Sequence, residues 1–155
     1  MSQTSYSQYQ AAGFAGLLAD SMFSDKVSYL AEGAILFGKP VVLGTDKARQ
    51  VATVGTGVGQ GALVIGISVA RHDVEQTSAG VAQYNDTNAV PVLKSGRIFV
   101  ETNDAVVAGA VANLKLSNGK FTDEAVASGI EAFTQIKATF ITGTSGAGLA
   151  IVEIK

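Results

Sequence analysis

The 155-residue chain has no cysteine, no tryptophan, one histidine and two prolines. Without cysteine there is no disulfide framework, thiol nucleophile, CxxC redox pair or cysteine-ligated zinc. The lone histidine, His72, excludes every multi-histidine metal site. Charge is scarce too, at 15% of residues against roughly 25% in an average soluble domain. Eleven basic and 13 acidic side chains leave a net charge of −2. A nucleic-acid binder carries a basic face, so no nucleic-acid partner is expected. Long apolar runs are missing. The longest, Ala62 to Ala70, is about half of the ~20 residues that span a bilayer as a helix, and no membrane association is expected. The first charged side chain is Asp20, so no basic n-region and no secretory signal are expected. On that reading the glycosylation pattern Asn85-Asp-Thr87 is a chance match, and the protein is cytosolic or virion-borne.

Glycine and apolar residues are what the chain has in quantity. Its 18 glycines make up about 12% of the residues, against about 7% on average. Apolar residues make up 47%. One domain of this length buries roughly 68–70% of its unfolded surface and needs no metal or disulfide to fold. Little charge on so apolar a chain implies that part of its exterior is covered by another molecule.

Short apolar runs separated by Gly, Asn, Asp and Ser clusters predict many short strands joined by tight turns. Candidate strands are Ala34 to Leu43 broken at Gly38-Lys-Pro40, Gln50 to Val54, and Leu63 to Val69 buried on both faces. Pro40 lacks an amide donor and belongs at a strand start, an edge or a turn. Val90 to Leu93 and Arg97 to Glu101 flank Lys94-Ser-Gly96, which reads as a hairpin-like connection. Asn118-Gly119 predicts a hairpin with a type I′ turn. Ile136 to Thr142 and Leu149 to Ile154 predict a last hairpin, with Ile151-Val-Glu-Ile-Lys155 alternating as a half-buried strand does. Asp104 to Gly109 and Asp123 to Gly129 are each expected to form about one helical turn. The fold class predicted is all-β, an antiparallel sandwich or barrel, jelly-roll-like, with an extended N-terminal arm. The arm covers residues 1–24 and the β-domain 25–155. No internal repeat is present.

Motifs that carry chemistry fail one by one. Gly33-Ala-Ile-Leu-Phe-Gly38-Lys39 matches GxxxxGK, but Pro40 stands where a phosphate loop needs Ser or Thr. Gly57-Val-Gly59-Gln-Gly-Ala62 fits a relaxed dinucleotide pattern, yet a strand-like run follows where a helix is required. Ser117-Asn-Gly-Lys120 spells SxxK, used from a helix start, whereas Asn118-Gly119 demands a turn. Gly143-Thr-Ser145-Gly-Ala147 misses GxSxG at its last position. His72 sits in the charged cluster Arg71-His-Asp73-Val-Glu75, the mark of a solvated strand end. The close carboxylates Asp73/Glu75, Glu101/Asp104 and Asp123-Glu124 show no sign of the unlike environments that acid–base catalysis needs. No calcium loop occurs. No enzymatic activity, cofactor or metal is expected.

The N-terminal segment is different. Tyr6, Tyr9, Phe14, Leu17, Leu18 and Phe23 put apolar bulk on a stretch whose only charge is Asp20. One reading is a frayed terminus or a first strand packed on its own domain. The other is an arm that lies on a neighbouring protein, where Tyr and Phe give large contact area at low rotamer cost. Removal of residues 2 to 20 is then expected to spare the fold and weaken attachment.

Several segments, in order, resemble a known family. They are Gly13-Phe-Ala-Gly16-Leu-Leu-Ala-Asp20, Phe37-Gly-Lys-Pro-Val-Val-Leu-Gly44-Thr-Asp46 and Ile65-Gly-Ile-Ser-Val-Ala-Arg71. Tyr84-Asn-Asp, Val90-Pro-Val-Leu-Lys-Ser-Gly96-Arg-Ile-Phe-Val100, Val106-Val-Ala-Gly109-Ala-Val111 and Gly148-Leu-Ala-Ile-Val-Glu-Ile154 continue the series. Over residues 13 to 154 the chain resembles the structural cement, or capsid decoration, proteins of tailed bacteriophages. Ala110 departs from the pattern, which often has an acidic residue there. The resemblance implies a non-enzymatic β-protein, made in the host cytoplasm, that sits on the outer capsid surface of the virion. It implies a homo-oligomer, dimer or trimer, that bridges major capsid proteins of the head. The alternatives are a head-fibre base or tail-associated protein and, from another class, a small-ligand-binding β-barrel.

Overall fold

A computed structural model describes residues 13–74 and 76–155. Tyr6 and Tyr9 therefore lie outside the described residues. Twelve strands follow in chain order: β1 (Leu18–Ala31), β2 (Ile35–Leu36), β3 (Pro40–Leu43), β4 (Gln50–Thr53), β5 (Val64–Ser68), β6 (Gln83–Tyr84), β7 (Ala89–Thr102), β8 (Asn113–Lys115), β9 (Lys120–Thr122), β10 (Ile130–Ala132), β11 (Ala138–Phe140) and β12 (Gly148–Ile154). A 3₁₀ turn, Gly61–Leu63, precedes β5. No α-helix occurs among the described residues. The one-turn helices expected at 104–109 and 123–129 are absent. Those stretches are instead drawn into isolated bridges, Val106 with Thr144 and Ala127 with Ile130.

Pairing closes a ring. β1 joins β4, β4 joins β3, β3 joins β5, β5 joins β7, and β7 returns to β1. The result is a five-stranded barrel with one parallel seam, β1 with β4 at Leu30 and Ala31. The all-β expectation holds; the sheet is mixed, with parallel pairings of β1 with β4 and of β7 with β9. Closure removes most exposed sheet edges, which would otherwise template aggregation. Each barrel strand sends at least one buried apolar residue inward: Ala31, Val41, Val51, Ile65, Val90 and Val92. Ile35 and Tyr84, paired across β2 and β6, complete this cluster. Full burial of such side chains contributes about 1.5–3 kcal/mol each.

β7 is too long for the barrel alone. Its second half, from Gly96 to Thr102, pairs with β12, which pairs with β11. Thr102 also pairs with Phe121 of β9, and β9, β8 and β10 follow as a meander. A larger core lies here, built around Ile98, Val100, Leu114, Phe121, Phe140, Val152 and Ile154, and it reaches Val64, Ile67 and Leu93 of the barrel. β5 feeds both cores, so all five of its residues are buried. Gly66 is required there, because a Cβ would meet the Leu93 carbonyl oxygen at 2.4 Å.

Two turn readings need correction. Lys94-Ser-Gly96 is not a chain reversal. Neighbours on both sides, β1 and β12, hold β7 extended through it. The Asn118-Gly119 hairpin forms, but as a loop of residues 116–119 between Lys115 and Lys120. Only Gly119, at φ +64°, enters the left-handed region, whereas a type I′ turn needs both central residues there. Asn118 instead accepts a bond from the Lys120 amide through Oδ1, at 3.0 Å.

Tyr84 supplies a test of the barrel core. Its ring is fully buried, edge-on to Phe37 at 5.2 Å, and its hydroxyl donates to the Val69 carbonyl. Burial pushes its phenol above the ordinary tyrosine range. Tyr84→Phe leaves that carbonyl without its side-chain donor. The expected loss is about 1–2 kcal/mol, or roughly 2–8 °C in melting temperature at this chain length, read by thermal circular dichroism. An unchanged midpoint would show that the hydroxyl bond contributes nothing net.

Candidate functional site

β1 does not stop where the arm was expected to end. It runs from Leu18 to Ala31, so the boundary drawn at residue 24 falls inside a strand. Its pairing with β7 shifts register at three places, most of all between Asp20 and Asp25. Asp20 stands opposite Arg97 and Asp25 opposite Ser95. Four residues, 21–24, therefore oppose the single residue Gly96, a pronounced bulge. Gly96 has φ +136°, and a Cβ there would meet the Phe23 oxygen and Ser24 Cα at 3.2 Å each. The glycine lets the bulged backbone sit down on β7. Phe23 is carried outward by the bulge and is 76% exposed.

Beside Phe23 lies an open groove of about 300 Å³, lined also by Asp20, Gly96, Arg97, Glu153 and Lys155. Its charges are already matched. The Glu153 carboxylate takes Lys155 Nζ and Arg97 Nε, each at 2.8 Å. Hydrogen bonds from Lys155 and then Arg97 hold Glu153 below the usual carboxylate range. A depressed carboxylate stabilises the fold above its unfolded pKa and loses that effect as pH falls. The groove is open to solvent, which screens the pair, so the effect is small and salt-sensitive. The groove thus presents an apolar ring over a paired, ionically quiet floor.

The other expected contact residues divide. Phe14 is 42% exposed and meets the His72 ring edge-on, with centroids 6.1 Å apart. Leu17 is half-buried, and Leu18 packs against the larger core. Residues 13–18 are stitched to the barrel. The Gly16 amide donates to the Phe99 carbonyl at 2.8 Å, the Ala70 amide to the Gly16 carbonyl at 2.8 Å, and the Phe99 amide to the Leu17 carbonyl at 2.9 Å. Of the four candidates within the described residues, Phe14 and Phe23 are the outward pair.

A family model described as structural cement protein (E217 gp24/Pam3 gp6) matches residues 2–155. The chain belongs to the phage structural cement family. Among solved structures it is similar to a chain of the capsid of Myoviridae phage XM1. That likeness has a TM-score of 0.69 over 97% of this chain and 95% of the other, at 14% identity. Identity that low establishes a shared fold alone. No curated protein matches the sequence.

Membership makes this cement-family chain a structural protein of a phage capsid. Its apparent catalytic motifs have structural explanations. Lys39 of the GxxxxGK match pairs with Glu101 at 3.2 Å. In the GxGxxA match the amides of Gly59 and Gly61 are taken by Glu131. His72 lies between Arg71 and Asp73, which pair with each other. Among the described residues, no three His, Asp or Glu side chains gather as metal ligands would. No described helix is long and apolar enough to cross a membrane. Sequence reasoning missed the exposed valines at 58, 107, 111 and 126. Val58, Val111 and Val126 stand between small neighbours, and Val107 follows the buried Val106, so local sequence does not mark any of them as outward.

Proposed function

We propose that the protein binds the outer surface of a phage head and stabilises the shell by bridging neighbouring major capsid subunits. The observation that carries this reading is the family match over residues 2–155. The low charge and the outward Phe14 and Phe23 support it, since aromatic side chains anchor protein interfaces. The N-terminal segment with Tyr6 and Tyr9 adds further contact area. The chain acts as a dimer or trimer, so each patch of about 800 Å² is multiplied: once one patch is bound, the next binds intramolecularly, raising avidity by about 10²–10⁴. A ligand that prefers the assembled shell to free subunits stabilises it by mass action.

The test is co-sedimentation with purified, undecorated, expanded heads at micromolar protein. Saturable binding with a raised head-rupture temperature is expected. Protein that stays in the supernatant would refute the proposal. Phe23→Ser is expected to weaken binding by about 10-fold or more, the equivalent of one buried aromatic anchor. Its melting temperature should be unchanged, because the ring contributes little to either core. Wild-type affinity in this variant would remove the bulge from the interface.

A further inference from the structure

We propose that the loop 55–61 is a preformed docking finger. It holds Val58 out for insertion into an uncharged, apolar pocket on the phage shell protein. This rests on the shell-binding reading above. The loop reads Gly55-Thr-Gly-Val-Gly-Gln-Gly61, four glycines in seven residues and no charge. Glycine loses more conformational freedom on ordering than any other residue, so such a segment is costly to fix. Yet it is fastened at several points. The Gly59 and Gly61 amides donate to the two carboxylate oxygens of Glu131, each at 2.6 Å. The Gly55 amide donates to Gln60 Oε1 at 3.3 Å. Just beyond, the Ala62 carbonyl accepts from Thr134 Oγ1 at 3.2 Å and Gln135 Nε2 at 3.0 Å.

Glu131 belongs to β10, seventy residues further along the chain. Bonds to a charged acceptor are roughly twice as strong as neutral ones. Gly59, at φ +87°, turns its amide toward Glu131. Gly61 has no room for a Cβ, which would meet the Ala132 oxygen at 2.6 Å. At the tip Val58 is 94% exposed, more than any other large apolar residue described. The fold thus fixes an apolar side chain in water. Ordering is met during folding, so it is not charged against binding, which is the advantage of preorganisation. The absence of charge on the loop selects an apolar socket over an ionic one.

The test uses full-length protein and undecorated expanded heads, with Val58→Ser, Glu131→Gln and the double variant. Val58→Ser is expected to weaken binding about 10-fold or more, since a valine no longer leaves water. Its melting temperature should not change. Glu131→Gln keeps one acceptor oxygen and loses the charge. It should weaken binding several-fold and speed hydrogen exchange at the Gly59 amide. In the Val58→Ser background Glu131→Gln should cost nothing further, because it acts only by positioning the tip. Unchanged binding of Val58→Ser, or additive losses in the double variant, would overturn the proposal. So would a change of oligomeric mass at constant head affinity, which would assign the finger to a second copy of the chain. Failure of the wild type to bind heads at all would instead overturn the shell-binding reading and this inference with it.

Discussion

Gly38→Val is expected to unfold the protein well below the wild-type melting temperature. Gly38 and Gly16 cross backbone against backbone. A Cβ on Gly38 would meet the Gly16 amide nitrogen at 2.5 Å and the Ala15 carbonyl carbon at 2.9 Å. The obstacle on both sides is main chain, which cannot swing aside as a side chain would. Residue 16 is held from two directions, by Phe99 of β7 and by Ala70 beyond β5. Moving it breaks both bonds and loosens the barrel. The φ of +67° adds about 1–2 kcal/mol for any residue with a Cβ. Each lost buried bond adds about 1–3 kcal/mol. The sum is about 4 kcal/mol or more against a total stability of about 5–15 kcal/mol. A fall of at least roughly 10 °C in the thermal midpoint is expected. Gly38→Ala should follow in the same direction with a smaller shift. A midpoint within about 2 °C of wild type would mean that the two segments can separate without loss.

That crossing marks the limit of what local sequence discloses. Pro40 at a strand start, the alternation of β12, the double burial of β5 and the Asn118-Gly119 reversal are local facts, and each is legible from a few consecutive residues. β1 is not. Its first half, Leu18 to Ser24, mixes Asp20 and two serines of weak strand preference among its apolar residues, so it reads as an arm. It becomes a strand because β7, some seventy positions away, offers it a partner. The same distant pairing defeats the turn signal of Lys94-Ser-Gly96. Gly96 serves the bulge above it and not a chain reversal. At the candidate site, Phe14 and Phe23 were legible as apolar residues in a stretch with one charge, Asp20. Their outward placement, and the inward placement of Leu18, depend on a register that only tertiary structure sets. Val58 was hidden by the glycines around it, because the carboxylate that orders them comes from β10.

Two truncations should separate folding from attachment. The sequence reading treats residues 2–20 as dispensable for the fold; the hydrogen bonds of Gly16 and Leu17 and the packing of Leu18 say that residues 16–18 are not. Removal of 2–12 keeps the described hydrogen bonds at Gly16 and Leu17, so the melting temperature should stay above that of the longer truncation. Head binding should fall by about 10²-fold or more, since loss of one tethered contact removes its avidity. Removal of 2–20 also deletes Gly16, Leu17 and Leu18. It strips the Phe99 amide and carbonyl and the Ala70 amide of their partners and uncovers part of the larger core. That protein should lose about 4 kcal/mol or more and bind weakly, because the segment that ties the second half of β7 to Ala70 is gone, although the pairs from Asp25 to Ala31 still close the barrel. Paired melting curves and head co-sedimentation decide the matter. Full binding by the shorter truncation would leave Phe23 and its bulge as the anchor and take Tyr6 and Tyr9 out of the interface. A native melting curve for the longer one would mean that the bonds of residues 16–18 to Phe99 and Ala70 contribute nothing net.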